Sequence, residues 1–140
     1  MSHEIVRPTG WPRPHGYSHG VMASGRVLAV AGQVGWDVEC KLVAGGFSAQ
    51  FEQALTNVRA VVEAAGGRPE HLISLTIYVA DVREYETELP EVGRRYRGVL
   101  GHHYPAMALV QVARLLEKGA RVEIQALAVI PDGGGTEEEP

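Results

Sequence analysis

The clearest periodic segment of the chain runs from residue 48 to residue 65, where apolar residues recur every three or four positions. This spacing places them on one stripe of an α-helix. Ser48 is the predicted N-cap, and Gly66 and Gly67 are predicted to end the helix. The apolar stripe consists of Phe51, Ala54, Leu55, Val58, Val61, Val62 and Ala65. The residues assigned to the remaining, polar surface are Gln50, Gln53, Asn57, Arg59 and Glu63.

Apolar and β-branched residues predict strands on both sides of this helix. Residues 21–32 read as two short strands around a Ser24-Gly25 turn. The second of these strands consists almost wholly of small or β-branched residues, which is typical of a strand covered on both faces. Residues 73–81 alternate between apolar and polar side chains, which predicts a further strand with one buried face.

The stretch from residue 105 to residue 130 predicts a β-hairpin. Its arms, residues 105–115 and 121–130, are apolar and β-branched, and Glu117-Lys118-Gly119-Ala120 between them is typical of a turn. Glu123 stands alone among apolar residues in the second arm. A carboxylate in such a strand needs a partner, water or a proton, so Glu123 is a candidate functional residue.

A second helix is predicted between these strands. Pro90 cannot sit inside a continuous helix, so residues 83–89 are predicted to form a turn and a helix to begin near Pro90. The predicted order is β-β-β-α-β-α-β-β, an α+β fold in which both helices cover one face of a mixed sheet. Because the last strands are too apolar to leave the other face in water, the sequence also predicts an oligomer.

Composition and charge restrict the class of protein. The 140 residues predict one domain over residues 1–131, with residues 1–14 as an extended arm and the acidic residues 132–140 as a disordered tail. A net charge of −4 offers no basic footprint for nucleic acid or anionic membranes. The single cysteine, Cys40, leaves no intramolecular disulfide. No apolar run approaches the ~18 residues of a membrane span, and no signal-peptide core is evident, so a cytoplasmic location is expected.

The basic side chains give weaker indications. The histidines show no metal-ligand spacing, because His102 and His103 are adjacent and the others are scattered, so neither a metal nor a cofactor is predicted. Arg94, Arg95 and Arg97 form a small basic cluster on the second helix. With several glutamates nearby, a solvated surface of mixed charge accounts for this cluster better than an RNA-binding face.

Seven segments, in unbroken order between residues 15 and 130, carry a family resemblance. They are Gly16-Tyr17-Ser18-His19-Gly20-Val21, Ala31-Gly32-Gln33-Val34, Gln53-Ala54-Leu55-Thr56-Asn57-Val58, Glu63-Ala64-Ala65-Gly66, Tyr104-Pro105-Ala106, Val112-Ala113-Arg114-Leu115 and Val122-Glu123-Ile124-Gln125-Ala126-Leu127-Ala128. They resemble motifs of the RidA/YjgF family, whose members often carry an endoribonuclease L-PSP label. The resemblance implies a chorismate-mutase-like subunit in a homotrimer with a central β-barrel and ligand clefts between neighbouring subunits.

The same resemblance implies an activity but differs at a diagnostic position. Active members hydrolyse 2-imino and enamino acids to 2-oxo acids and ammonia, and an arginine after Pro-Ala grips the substrate carboxylate. Here Met107 occupies that position and offers neither charge nor donor. Leu109 stands where the family often has a small polar residue or cysteine, and Leu89 where many members have asparagine.

The resemblance also implies residue roles within the cleft. Glu123 would act as general acid or base on a bound water, Tyr17 would orient ligand or water, and backbone N–H groups near Gly32 would stabilise an oxyanion. The other residues expected to bind ligand are Gln33, Trp36, Met107, Leu109 and His19. Glu123 has an alternative structural role, in which it bonds backbone or an arginine of a neighbouring subunit (Arg13, Arg114 or Arg121). Trp36 could stack on a planar ligand or pack in the subunit interface.

Three classes of function therefore remain open from the sequence. The first is hydrolysis of an enamine- or imine-type small molecule by a recognition mode that does not use the missing arginine. The second is a non-catalytic trimer that binds a small metabolite in its clefts. The third is an RNA-directed role as a ribonuclease or translation inhibitor. The expected partners are a small-molecule ligand and further copies of the same chain.

Overall fold

The computed structural model describes residues 3–132. The strands are β1 (Glu4–Val6), β2 (Gly20–Met22), β3 (Arg26–Val34), β4 (Leu72–Val79), β5 (Ala106–Gln111) and β6 (Val122–Ile130). The helices are α1 (Gly46–Ala64), α2 (Val82–Thr87) and α3 (Leu89–Leu100), with a 3-10 turn at Pro69–His71. The predicted order of elements is confirmed, with the second helical segment divided into α2 and α3. No helix among residues 3–132 has both the length and the hydropathy needed to cross a bilayer.

The main sheet has four strands in the order β3-β6-β4-β5. β6 pairs antiparallel with both β3 and β4, whereas β5 pairs parallel with β4 at the sheet edge. The predicted hairpin of the last two strands is therefore wrong, because β4 lies between β5 and β6. A parallel pair needs a long crossover, and α2 and α3 provide the crossover between β4 and β5. The two short strands around Ser24-Gly25 are present, but β2 pairs with β1 in a separate sheet.

Helix α1 carries the predicted apolar stripe into the core. Phe51, Leu55 and Val58 are among its buried side chains, and the helix packs against β3, β6 and α3. Its end agrees with the prediction, since Gly66 has a φ of 88° and the backbone N–H of Gly67 donates to the carbonyl of Val62 at 3.0 Å. Its start does not. Gly45 is the N-cap, and no side chain caps that end.

Ser48 lies inside the first turn of α1 rather than at its cap. The hydroxyl is not a cap, and the backbone N–H of Ser48 donates instead to Oε1 of Glu88 at 3.1 Å. A carboxylate from the α2–α3 junction thus satisfies a free amide at the amino-terminal end of α1, where negative charge is favourable. A distant acid therefore replaces the local cap that the sequence predicted.

Gln50 corrects the predicted polar surface of α1, because it is only 5% exposed. Its side-chain amide donates to the carbonyl of Gly119 at 3.2 Å and accepts from the backbone N–H of Arg121 at 2.8 Å. A buried amide is stable when its polar atoms are paired in this way. Gln50 therefore ties α1 to the loop that leads into β6.

The second helical segment begins earlier than predicted. Residues 82–87, assigned to a turn, form the short helix α2, whose N-cap Asp81 accepts from the backbone N–H of Arg83 at 3.0 Å. α3 then starts at Leu89, with Pro90 in its first turn as predicted. Val92, Tyr96, Val99 and Leu100 join the core that lies between the helices and one face of the sheet.

The other face of the sheet, here called the open face, is covered by no helix from residues 3–132. Alternate residues of β6 face the core, which leaves Glu123, Gln125 and Leu127 on the open face. Exposed apolar side chains extend across it, with Val27 71% exposed and Leu127 41% exposed. The structure thus has the unpaired apolar sheet face that the sequence predicted.

The two chain ends are described only in part. In the predicted arm, residues 4–6 form β1 and pair with β2. Of the predicted acidic tail, Asp132 lies near Arg26, at 3.8 Å between side-chain atoms, and residues 133–140 lie outside the described part of the chain.

Candidate functional site

The candidate site residues divide between the two faces of the main sheet. Tyr78 of β4 is the register partner of Glu123, whereas its neighbour Ile77 is the register partner of Leu109. Adjacent residues of a strand point to opposite faces, so Glu123 and Leu109 lie on opposite faces as well. Met107 lies two residues before Leu109 and packs with it against the core. Within one chain, the predicted acid and the predicted apolar lining therefore do not meet.

Glu123 lies in a shallow depression on the open face, here called the open-face cavity, of about 340 Å³. Gly32, Tyr78, Arg114 and Gln125 line it together with Glu123. The carboxyl group rests against Gly32, where a Cβ would lie only 2.0 Å from Oε2 of Glu123. Within residues 3–132 no arginine or lysine pairs with Glu123 at 4.0 Å or less. Glu123 is half-buried, and its carboxylate therefore borders a cavity without an ion-pair partner among these residues.

Met107 and Leu109 line a different space, here called the helix-face cavity, of about 600 Å³. It lies between β5, the α2–α3 segment and the loop that carries Tyr17. Its remaining lining residues are His15, Gly16, Phe51, Ile77, Tyr85, Leu89, Val92, Gly93, Tyr96, Arg97, Tyr104 and Ala108. Most of these side chains are aliphatic or aromatic, so the cavity suits an apolar or planar group.

Two phenols of the helix-face cavity are held in the protonated form. Burial raises the pKa of Tyr85, and burial, together with the nearby Tyr104, raises the pKa of Tyr96. The hydroxyl of Tyr96 donates to the carbonyl of His103 at 2.6 Å, so that phenol is already engaged. These phenols therefore bring no negative charge to the cavity at neutral pH.

Tyr17 and His19 reach the site on the loop between β1 and β2. Ser18 anchors this loop, since its N–H donates to the carbonyl of Pro105 at 3.1 Å and its hydroxyl to that of Tyr104 at 2.6 Å. Tyr17 is 39% exposed and lines the helix-face cavity. The ring of His19 meets that of Tyr17 edge-on, with centroids 5.4 Å apart.

A second cavity, here called the arm cavity, lies on the other side of Tyr17 and measures about 720 Å³. His19 lines it together with Arg7, Arg13, His102 and other residues of the loop. No aspartate or glutamate is among its lining residues in the described part of the chain. The arm cavity is therefore cationic, whereas the helix-face cavity is mainly apolar.

Gln33 and Trp36 lie at the end of β3 and beyond it, outside the linings of these three cavities. The side-chain amide of Gln33 donates to the carbonyl of Ala31 at 3.1 Å. Trp36 is half-buried and forms an isolated bridge with Leu42, and its carbonyl accepts from Asn57 at 2.9 Å. Both therefore sit near the edge of the sheet, where their roles as ligand-binding residues stay predictions.

Among residues 3–132, the histidines and carboxylates do not assemble a metal site. Within residues 3–132, no three side chains of histidine, cysteine, aspartate or glutamate come close enough to hold an ion. His103 is instead engaged with the carbonyl of Leu72 at 2.7 Å, and His3 with that of His71 at 2.9 Å.

The structure separates the arginines that the sequence grouped together. Arg94 and Arg95 both pair with Glu91, and Arg95 also pairs with Glu52 at 2.7 Å. Arg97 instead borders the helix-face cavity. Residues 94 and 97 lie three positions apart on a helix, so the sequence allowed them to have different neighbours. Only the packed structure shows which neighbours each arginine has.

Sequence reasoning also missed two polar neighbours of Glu123. Tyr78 donates its hydroxyl to Oε1 of Gln125 at 3.1 Å, and both line the open-face cavity. The signal was present in the alternation of β4 and β6, which puts Tyr78, Glu123 and Gln125 on the polar side of their strands. Their pairing depends on the strand order, which the predicted hairpin did not include.

Comparison with known proteins finds one protein family and many relatives. The profile of the family described as Endoribonuclease L-PSP matches residues 12–130. A bovine protein named 2-iminobutanoate/2-iminopropanoate deaminase is 37% identical over 114 residues, which cover 81% of this chain and 79% of the relative. An Escherichia coli protein of the same name is 33% identical over 108 residues, covering 75% of this chain and 80% of the relative.

Solved structures give the same grouping. A Yersinia pestis protein of unknown function, assigned to the conserved Rid family, superposes with a TM-score of 0.80 at 31% identity and covers 93% of this chain and 100% of that one. RidA from a Psychrobacter species superposes with a TM-score of 0.65 at 32% identity, covering 91% and 99%. A putative endoribonuclease from Thermotoga maritima does so with a TM-score of 0.65 at 29% identity, covering 90% and 96%.

Proposed function

This chain belongs to the endoribonuclease L-PSP family, also called the RidA/YjgF family, and we propose that it forms a homotrimer whose intersubunit clefts hydrolyse an imine- or enamine-type small molecule. The observation that carries the proposal is the division of the site between two faces of one sheet. Glu123 and Gly32 occupy the open face, and Tyr17, Met107 and Leu109 occupy the helix-face cavity. A second copy that docks on the open face brings the two half-sites of different chains together.

The apolar open face supports this assembly. Val27, Val110 and Leu127 are large apolar residues exposed on it, spread over β3, β5 and β6. Covering apolar surface of this kind stabilises an association by roughly 25 cal/mol for each Å² removed from water. The same contact would desolvate Glu123, which is half-buried in the single chain, and would shield the cleft from bulk water.

The reaction we propose is the addition of water to a C=N bond. Glu123 accepts a proton from a bound water as its oxygen attacks the imine carbon, and the π electrons of the C=N bond move to nitrogen. Glu123 then delivers that proton to nitrogen. Glu123 next takes the hydroxyl proton of this carbinolamine and transfers it to nitrogen, so that the C=O bond re-forms as the C–N bond breaks and ammonia and an oxo product are released. Tyr17 orients ligand or water, and backbone N–H groups near Gly32 stabilise the developing oxyanion.

A non-catalytic ligand-binding trimer is the alternative function. Met107 favours it, because strand β5 presents a thioether and the aliphatic Leu109 to the helix-face cavity and no donor for a carboxylate. The trimer would then bind an apolar or planar metabolite without turning it over. An RNA-directed role has less support, because Arg94 and Arg95 are already paired with carboxylates.

Replacement of Glu123 tests the proposed chemistry. Glu123→Gln keeps the shape of the side chain but removes the base, so hydrolysis of 2-iminopropanoate should fall by roughly a hundredfold or more. The substrate is generated in situ by an amino acid oxidase, and ammonia release above the uncatalysed rate is measured. Glu63→Gln, an exposed acid of α1, serves as the matched control. An unchanged rate in Glu123→Gln would contradict the proposed role.

Met107→Arg distinguishes the catalytic from the non-catalytic alternative. If the cleft is a hydrolytic site without a carboxylate clamp on β5, the new guanidinium should create or raise activity on 2-iminopropanoate. The same assay measures it. If wild type and Met107→Arg are both inactive while the trimer still binds ligand, the non-catalytic function is supported. If wild type hydrolyses this substrate and Met107→Arg does not raise the rate, the absent arginine does not limit the activity.

A further inference from the structure

The lining of the helix-face cavity contains one arginine and is otherwise mostly aliphatic or aromatic. Among its lining residues in the described part of the chain, Arg97 is the only arginine, lysine, aspartate or glutamate, and His15 is the only other ionisable base. A guanidinium beside an apolar cavity is a strong recognition element, because its planar fork can donate two charge-assisted hydrogen bonds to one carboxylate. The charge of Arg97 is therefore the main polar feature that a ligand in this cavity would meet.

Arg97 is available for such a contact, unlike its neighbours on α3. Arg94 and Arg95 are both engaged by Glu91. Within residues 3–132, no carboxylate lies within 4.0 Å of the guanidinium of Arg97. The side chain is exposed and lines the helix-face cavity, so an incoming anion can reach it without displacing an ion pair.

Gly93 makes room for this guanidinium, one turn earlier on α3. Side chains on a helix lean towards its amino-terminal end, so Arg97 extends back over Gly93. A Cβ at Gly93 would lie 3.3 Å from Nη1 of Arg97. Glycine inside a helix costs roughly 0.5–1 kcal/mol relative to alanine, so its use here fits a need for space beside the cavity.

We propose that Arg97 is the anion-binding residue of the helix-face cavity, and that the ligand is a small monocarboxylate with an apolar or aromatic body. This inference rests on the proposed function in placing the ligand beside β5, but it does not require that the ligand be hydrolysed. Met107 and Leu109 contact the apolar body, and the fork of the guanidinium takes the carboxylate from the side of α3. An arginine on the helix thereby supplies the recognition that strand β5 does not.

The arm cavity offers a competing source of positive charge. Arg7 and Arg13 line it, and it shares Tyr17 with the helix-face cavity. Neither arginine lines the helix-face cavity itself. A carboxylate held by Arg13 would place the apolar body of the ligand against the loop side chains around Tyr17 rather than against Met107 and Leu109. Substitution of Arg13 therefore separates the two locations.

Calorimetric titration with 3-phenylpropanoate and its neutral amide, 3-phenylpropanamide, tests the proposal on the full chain. Wild type should bind the carboxylate at least about tenfold more tightly than the amide. Arg97→Met should weaken carboxylate binding by roughly ten- to a hundredfold, because a charge-assisted hydrogen bond is lost, and should leave amide binding within about twofold. Arg97→Lys should recover part of the preference, since it restores the charge without the fork.

Matched variants make the result specific. Arg94→Met, on the same helix but ion-paired with Glu91, should leave both affinities unchanged. Gly93→Leu should reduce the carboxylate preference by displacing Arg97, whereas Gly98→Leu, where no atom lies within 4 Å of an added Cβ, should not.

A preference that survives Arg97→Met, or that is lost in Arg13→Met, overturns the assignment, as does wild type that binds neither probe. Calorimetry measures binding of non-hydrolysable probes and needs no turnover, so failure of catalysis and failure of this inference are distinguishable.

Discussion

Gly32 matters because of the space it leaves beside Glu123. Its backbone is not in the left-handed region, so another residue could adopt the same conformation. An added Cβ, however, would lie 2.0 Å from Oε2 and 2.8 Å from Cδ of Glu123. Since the clash involves the whole carboxyl group, a rotation of its tip alone cannot relieve it. At the scale of the residue, one missing methyl group determines where the proposed catalytic acid rests.

Gly32→Ala should therefore displace the carboxyl group while leaving the fold intact. A shift of about 1 Å in a reacting group can cost roughly a hundredfold in rate, and we expect a loss of that order in 2-iminopropanoate hydrolysis. The free energy of unfolding, measured by urea denaturation, should change by no more than about 1 kcal/mol. Gly98→Ala is the control, because an added Cβ there meets open space. Full activity in Gly32→Ala would show that the position of Glu123 is not critical.

At the scale of the element, the short connections are held by groups that the sequence pattern did not reveal. The 3-10 turn at Pro69–His71 joins the end of α1 to β4. Nδ1 of His71 accepts from the backbone N–H of Arg68 at 3.0 Å, which requires that nitrogen to be unprotonated. Burial lowers the pKa of His71 from 6.5, and the nearby His3 lowers it further. The turn is therefore built around a neutral imidazole.

This connection predicts a pH dependence of stability. Because the pKa of His71 is lower in the folded than in the unfolded chain, its contribution is complete above pH 6.5 and is lost as the pH falls through the folded value. Between about pH 7.5 and about pH 5, wild type should lose more stability than His71→Asn, which accepts a hydrogen bond but does not titrate. Urea denaturation at both pH values measures the difference. Equal losses in the two proteins would exclude this role of His71.

At the scale of the whole molecule, the main sheet separates two incomplete sites. The open face presents an acid, a tyrosine and a glutamine among exposed apolar residues. The helix face presents an apolar cavity bordered by Arg97 and Tyr17. Neither combines a base with a cavity able to enclose a substrate. The proposed homotrimer accounts for both faces at once, because each copy would complete the site of its neighbour.

Leu127→Glu tests this assembly directly. Leu127 lies on β6 and is 41% exposed on the open face, so a carboxylate there would have to be desolvated in the trimer at a cost of several kcal/mol. Wild type should sediment with three times the mass of a single chain, and Leu127→Glu should sediment as a monomer and lose its activity. Val38→Glu, at a fully exposed loop position, should leave the trimer unchanged. A wild-type monomer, or a Leu127→Glu trimer, would contradict the proposed assembly.

The pattern of apolar and polar residues was enough to predict which elements form and which of their faces is apolar. The stripe of α1, the alternation of β4 and the order of the elements all agree with the structure, because helical and strand periodicity is a property of neighbouring residues. The family motifs also lay in the sequence, and the comparisons confirm that membership. Glu123 was a candidate functional residue from the sequence because it is an isolated acid among the apolar residues of β6.

How those faces are used depends on contacts between residues far apart in the chain. A strand pattern specifies a buried side but not a neighbouring strand, so nothing local distinguished the predicted hairpin from the observed insertion of β4 between β5 and β6. Gln50 became a buried clamp because the loop at residues 119–121 folds onto it, and Arg97 faces a cavity because α3 packs over β5. Each of these contacts joins residues far apart in the chain, and their positions are fixed only when the whole core packs.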